Sequence, residues 1–166
     1  MTFQAEDFPG YWLFRAQRSL MYAFYEALKV CCQEHEKPYM VTPPQFGVLL
    51  LLDEQKGMTI GAISQKRGVD APTITGIVTR LEQSGLVERR HDRKDRRQVY
   101  VFLTSEGSDI MCYLPDVARA FTETMMKGFS QEEQRDLIAK LQQIIANLSA
   151  VEPDAGVGTD LLPKFS

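Results

Sequence analysis

Between residues 71 and 103 the spacing of apolar residues changes period once, and that change constrains the fold more than any other feature of the chain. Over 71–84, Ile74, Ile77, Val78 and Leu81 recur at helical spacing and form one stripe. Asp70 stands at the N-cap position, and Pro72 falls in the first turn, where a missing N–H does no harm. Gly85 stops the helix. Beyond it, 86–90 reads as a short strand, 91–97 as a turn and 98–103 as a second strand. In the second strand Val99, Val101 and Leu103 alternate with Tyr100 and Phe102. A helix therefore leads through a tight turn into a β-hairpin with a charged tip.

The polar side of that helix is unusual. It carries Thr73, Thr75, Gly76, Thr79 and Arg80, although Thr and Gly are poor helix formers. A surface chosen for stability alone would carry Glu, Lys and Ala. Short side chains suit close approach to another surface, either a ligand or a helix packed against this one. The hairpin tip is the other anomaly: Arg89 to Arg97 holds seven basic residues in nine positions, counting His91. Within 61–97 there are nine Lys/Arg against five Asp/Glu, while the remainder has ten against seventeen and the chain as a whole is −3. A basic module in an acidic body points to a local polyanion contact.

The rest of the chain reads as helices. Residues 11–35 lack Gly and Pro and carry two apolar faces. Leu13, Leu20, Phe24, Ala27 and Cys31 make one, and Phe14, Met21, Tyr25, Leu28 and Cys32 make the other. Two such faces imply more partners than one small chain supplies. Thr42-Pro43-Pro44-Gln45 is a helix start with a capping-box pattern, and that helix ends at Gly57. Next come a short extended stretch and a short helix ending at Gly68. Thr104 caps a further helix in which Pro115 marks a bend or break. Ser130 and Glu133 form a capping box for a last helix with Leu137, Leu141, Ile144 and Leu148 at 4-3-4 spacing, a coiled-coil-like seam. The expected organisation is 1–41 as the N-terminal dimerisation helix, 42–103 as the central module, 104–150 as C-terminal dimerisation helices and 151–166 as a tail.

Helix, short turn, helix, hairpin is the order of a winged helix-turn-helix, in which the second helix enters the DNA major groove. The basic tip then meets phosphates and the negative minor groove, and the strand after it turns apolar because it returns to the core. The expected fold is mainly α with a small β-hairpin: a winged helix-turn-helix flanked by N- and C-terminal dimerisation helices.

The stretches TPPQFGVLLLL, APTITGIVTRLEQSGLVERR and DRKDRRQVYVFLTSEG resemble, in order and spacing, the second helix, recognition helix and wing of the MarR family of bacterial transcription regulators. The resemblance covers roughly 11–150. It implies a homodimer on a pseudo-palindromic double-stranded operator, acting as a repressor released by a small aromatic effector. It also implies that Pro72, Thr73, Thr75, Gly76, Thr79 and Arg80 face the groove. Arg97 would enter the minor groove, and Asp95 would hold it or a neighbouring arginine. Arg93, Lys94 and Arg96 complete the candidate DNA-binding set, with Arg93 and Lys94 expected on phosphates.

Arg15 and Arg18 lie one turn apart on an otherwise apolar helix. Guanidinium matches carboxylate in a two-pronged way, so one reading is a clamp for a carboxylate or thioester effector. Tyr39 and Tyr113 are candidates to add phenolic hydrogen bonds. The other readings are an ion pair for the arginines and core packing for the tyrosines. Cys31, Cys32 and Cys112 form no CxxC and read as small buried hydrophobes in a reduced, cytoplasmic chain; oxidant sensing through them is the alternative control. His35 and His91 lack metal-ligand spacing, so neither metal nor cofactor is expected. No GxSxG, phosphate loop or HExxH is present, which argues against an enzyme. No apolar run approaches the length of a membrane span. A winged helix used for protein contact is the competing module, but it has no need of a basic tip beside a bare helix face.

Overall fold

The structure, a computed structural model, describes residues 4–92 and 98–149. The chain divides into two compact units, Met1–Thr122 and Glu123–Ser166. The wing residues Arg93, Lys94, Asp95, Arg96 and Arg97 and the tail lie outside the described residues.

After a 3₁₀ turn at Ala5–Asp7, the first unit runs α1 (Pro9–Glu34), α2 (Pro43–Gln55), β1 (Met58–Thr59), α3 (Ile60–Arg67), α4 (Ala71–Gln83), β2 (Val87–His91), β3 (Val99–Leu103) and α5 (Ser105–Ile110). α6 (Leu114–Met125) begins in it, and α7 (Gln131–Ser149) belongs to the second. The expected hairpin is present, with Arg89 opposite Val101 and Val87 opposite Leu103. The extended stretch before α3 adds a third strand: Met58 pairs with Val101 and Thr59 with Tyr100, so β3 is central. The fold is thus a winged helix-turn-helix, mostly helical with a small antiparallel sheet.

α2 is apolar all round because it is surrounded. Gln45 to Leu49 and Leu52 are buried, and Leu28, Cys31 and Cys32 of α1 join the same core as Ile63, Ile74, Leu81 and Ile110. Only the C-terminal part of α1 is covered in this way. Trp12, Leu13, Phe14 and Leu20 remain exposed, so the two apolar faces read from the sequence are left open over the helix's first half. In α7, taken by itself, Leu141, Leu148, Ile138 and Ile145 are likewise exposed. The capping box on Ser130 and Glu133 is made, with Glu133 N–H on Ser130 Oγ at 3.2 Å and Ser130 N–H on Glu133 Oε2 at 2.7 Å. Pro115 does accompany a break. α5 stops at Ile110, and Pro115 falls in the first turn of α6, where proline is tolerated.

The linker before α2 is tied to the start of α5. Tyr39 Oη donates to Glu106 Oε1 at 2.5 Å, and Lys37 Nζ donates to the same oxygen at 2.8 Å. The Lys37 ammonium and the Tyr39 hydroxyl hold the Glu106 carboxyl below its ordinary 4.5. A carboxylate held down in the fold stabilises above its unfolded value, and that contribution is lost as pH falls through the folded value. Glu106→Gln should therefore melt at a lower temperature than wild type at pH 7. The two melting curves should converge as pH drops below 4.5. A difference in melting temperature that is independent of pH would show that the carboxylate charge is not what matters there.

Among the described residues, no helix is long and apolar enough to cross a membrane.

Candidate nucleic-acid interface

α4 is built to keep its outer face bare. Asp70 caps it, accepting from Thr73 N–H at 2.9 Å and from Thr73 Oγ1–H at 2.7 Å. These two bonds hold the Asp70 carboxyl below its usual range. Ile74, Ile77, Val78 and Leu81 are buried, as the helical period requires, and they fix which side turns outward. On that side Pro72, Thr73, Thr75 and Arg80 are exposed, and Gly76 and Thr79 are half-buried. Pro72, Thr73, Gly76 and Arg80 line one depression of about 490 Å³ together with Thr42 and Pro44 at the start of α2. The structure thus brings four of the six expected groove residues onto one concave surface, and places the α2 start beside them. The sequence marked that start as a cap but not as part of a surface.

The polar side chains here are already partly engaged. Thr75 Oγ1 donates to Ala71 O at 2.8 Å, and Thr79 Oγ1 donates to Thr75 O at 2.9 Å, so both hydroxyl protons are held by the helix. Thr79 Oγ1 also accepts from Arg89 Nη2 at 3.0 Å. Arg80 forms no ion pair among the described residues, and its guanidinium lies beside Gly76. The positive charge of the hairpin is less available than its count suggests. Arg89 is paired with Glu82 and Arg90 with Glu88, and the Arg90 guanidinium also lies 5.1 Å from the centre of the Phe102 ring.

A second depression, of about 410 Å³, lies on α1 and is lined by Phe14, Arg15, Arg18, Ser19 and Tyr22. Arg15 donates to Tyr11 Oη at 3.3 Å and sits 5.6 Å from both the Tyr11 and the Trp12 ring centres. The two arginines share this surface. Neither Tyr39 nor Tyr113 lines it: Tyr39 is engaged with Glu106, and the Tyr113 ring lies 3.7 Å, centre to centre, from that of His35.

Cys31 and Cys32 are buried, and burial pushes both thiols up, opposite to what a thiolate sensor needs. His35, one turn along α1, lies 3.8 Å by Nδ1 from Cys31 Sγ; the same nitrogen donates to Cys31 O at 2.9 Å. The i, i+4 spacing of Cys31 and His35 could have announced this contact in the sequence. Cys112 is exposed, and its Sγ contacts Ser108 O at 3.6 Å.

With this geometry in place, the likeness to known proteins is informative. The family model described as MarR family matches residues 41–99. The HTH-type transcriptional regulator TtmR of Methylorubrum extorquens (strain PA1) is 35% identical over 132 residues, which are 78% of this chain and 63% of TtmR. The chain thus spans less than two thirds of that relative. The transcriptional regulator HosA of Escherichia coli O111:H- is 31% identical over 101 residues, 61% of this chain and 74% of HosA. Among solved structures, CouR from Rhodococcus jostii RHA1 bound to p-coumaroyl-CoA is 25% identical with a TM-score of 0.71, covering 86% of this chain and 95% of that one. The transcriptional repressor CouR bound to a 23-mer DNA duplex is also 25% identical, with a TM-score of 0.70, covering 88% of this chain and 99% of that one.

Proposed function

The chain belongs to the MarR family, and on that premise we propose that it is a cytoplasmic, DNA-binding transcriptional repressor, acting as a homodimer and released from its operator by an aromatic carboxylate or thioester. The observation that carries the reading is the outer face of α4. It is a capped, well-packed helix whose exposed side bears threonine, glycine and an arginine, Arg80, with no ion pair among the described residues, over a concave surface. Such a face fits the major groove, where short side chains let the helix approach base edges. Pro72, Thr73, Thr75, Gly76, Thr79 and Arg80 are its proposed contacts. Arg93, Lys94, Asp95, Arg96 and Arg97 are proposed for the wing, with Arg97 in the minor groove. In this account 42–103 is the DNA-binding part, and 1–41 with 104–150 dimerise. The open apolar residues of α1 and, separately, of α7 support a second copy as partner.

The effector proposal rests on Arg15 and Arg18, two cations on one surface with Phe14 and Tyr22 beside them. CouR's p-coumaroyl-CoA is an aromatic thioester, and the chemistry here suits the same class or the free acid. Tyr39 could donate to such a ligand only by releasing Glu106.

The test is binding to the DNA upstream of the chain's own gene, with and without a panel of aromatic carboxylates and their thioesters. Wild type should bind, and an active effector should weaken binding by about 1.4 kcal/mol for each tenfold loss of affinity. Arg15→Ala should abolish the effector's action and leave effector-free binding nearly intact. An Arg15→Ala protein that responds like wild type would remove Arg15 from the effector site.

A further inference from the structure

Arg89 belongs to the basic run, and a count of charges assigns it to DNA. Its surroundings assign it elsewhere. Side chains alternate along β2, so Val87 and Arg89 share a face. Val87 is buried against the core, which turns that face toward α4. Two residues beyond it, the Arg89 guanidinium reaches α4 and bridges two of its side chains. Nη1 donates to Glu82 Oε2 in a charge-assisted bond, and Nη2 donates to Thr79 Oγ1 at 3.0 Å. Thr79 and Glu82 are three residues apart and therefore neighbours on one helix face. The fork geometry of a guanidinium is what allows one side chain to hold both. Its own side chain is 30% exposed and that of Glu82 is 39% exposed, so the bridge is shielded on part of its surface.

The bridge also sets the state of Thr79. A threonine hydroxyl has one proton and two lone pairs. The proton is on Thr75 O and one lone pair receives Arg89, so what remains for a ligand is one acceptor site and the methyl group. In a major groove this combination suits an exocyclic amine or a thymine methyl. It cannot donate to a purine O6 or N7 without giving up its helix bond.

Resting on the DNA-binding reading above, we propose that Arg89 is a positioning residue. It fixes the first strand of the wing to the recognition helix and holds the Thr79 hydroxyl as an acceptor, and it does not neutralise a phosphate. The two roles make opposite predictions for Glu82. If Arg89 serves phosphate, removing the Glu82 charge frees it and tightens binding. If Arg89 is a strut, removing Glu82 loosens the wing and weakens binding.

The experiment uses the full chain and a duplex that wild type selects from a randomised pool, compared with a scrambled duplex of the same composition, over a series of KCl concentrations. Arg89→Gln and Glu82→Gln should each weaken the selected duplex about tenfold while changing the scrambled one by less than about twofold. Each should leave the slope of log affinity against log salt unchanged, and the double variant should be no worse than either single one. Arg89→Lys keeps the charge and is the variant least exposed to misfolding. It should lose discrimination in the same way, because an ammonium cannot hold both bonds in a fixed fork. The proposal is overturned if Arg89→Gln lowers the salt slope by about one unit and weakens both duplexes alike. It is also overturned if Glu82→Gln tightens binding or Arg89→Lys behaves as wild type. A wild-type chain that selects no sequence at all would overturn the DNA-binding reading itself, and this proposal with it.

Discussion

Gly76→Glu is expected to leave the fold intact and to reduce operator affinity by about 100-fold or more, close to 3 kcal/mol. The free protein has room for the side chain. A Cβ on Gly76 meets nothing within 4 Å except Arg80 Nη2 at 3.8 Å. Replacing a glycine inside a helix should even raise stability by up to about 1 kcal/mol. The bound state has no such room if this face lies against base edges. A carboxylate there would sit beside phosphates and next to Arg80, and would draw that guanidinium to itself at i, i+4 spacing. Like-charge juxtaposition at an interface costs several kcal/mol. Melting temperature and fluorescence anisotropy on a labelled upstream duplex check the two halves separately. A variant that melts like wild type and binds like wild type would show that the outer face of α4 is not the DNA-reading surface.

Gly107→Ala should destabilise the fold through a direct backbone clash. The added Cβ would stand 2.0 Å from Leu86 O, a backbone atom that cannot swing aside because it already accepts from Thr104 N–H at 3.1 Å. Thr104 holds the same corner: its hydroxyl donates to Gly85 O at 2.6 Å and accepts from Gly107 N–H at 3.0 Å. The methyl must therefore push α5 away from the α4–β2 turn. Overpacking of this kind costs about 2–3 kcal/mol, or about 4–12 °C in melting temperature for a chain of this size. Gly61→Ala is the matched control, because nothing lies within 4 Å of its Cβ position and it too sits in a helix. If both variants melt alike, the close approach of α5 to the turn is not real.

What the sequence revealed and what it hid follow one physical division. α4 was legible to within a residue because its signals are local: Asp70 caps it, four apolar residues keep a period, and Gly85 ends it with a φ of 72°. The capping box of α7 and the break near Pro115 were legible for the same reason. β1 was legible only as an extended stretch, because two residues carry no period that would announce a paired third strand. Met58 and Thr59 are a strand only because Val101 and Tyr100 stand opposite them. The Tyr39–Glu106 and Arg89–Thr79 bonds were equally hidden, since they join residues 67 and 10 positions apart across turns. The charge count marked the hairpin as basic, yet it could not tell that Arg89 and Arg90 are answered by Glu82 and Glu88. The apolar faces of α1 were visible, but which part the chain itself covers depends on where α2 packs. Leu28, Cys31 and Cys32 are buried, while Trp12 and Phe14 are not.

The central claim is that two copies of this chain each place α4 in a major groove of one operator. Hydroxyl-radical footprinting of the upstream region with the purified protein tests it most directly. The account predicts two protected patches related by a pseudo-dyad on one face of the duplex, centred about 10 bp, one helical turn, apart, and fading together as salt rises. A single unpaired patch, or no protection at a concentration where the protein is folded, would contradict it.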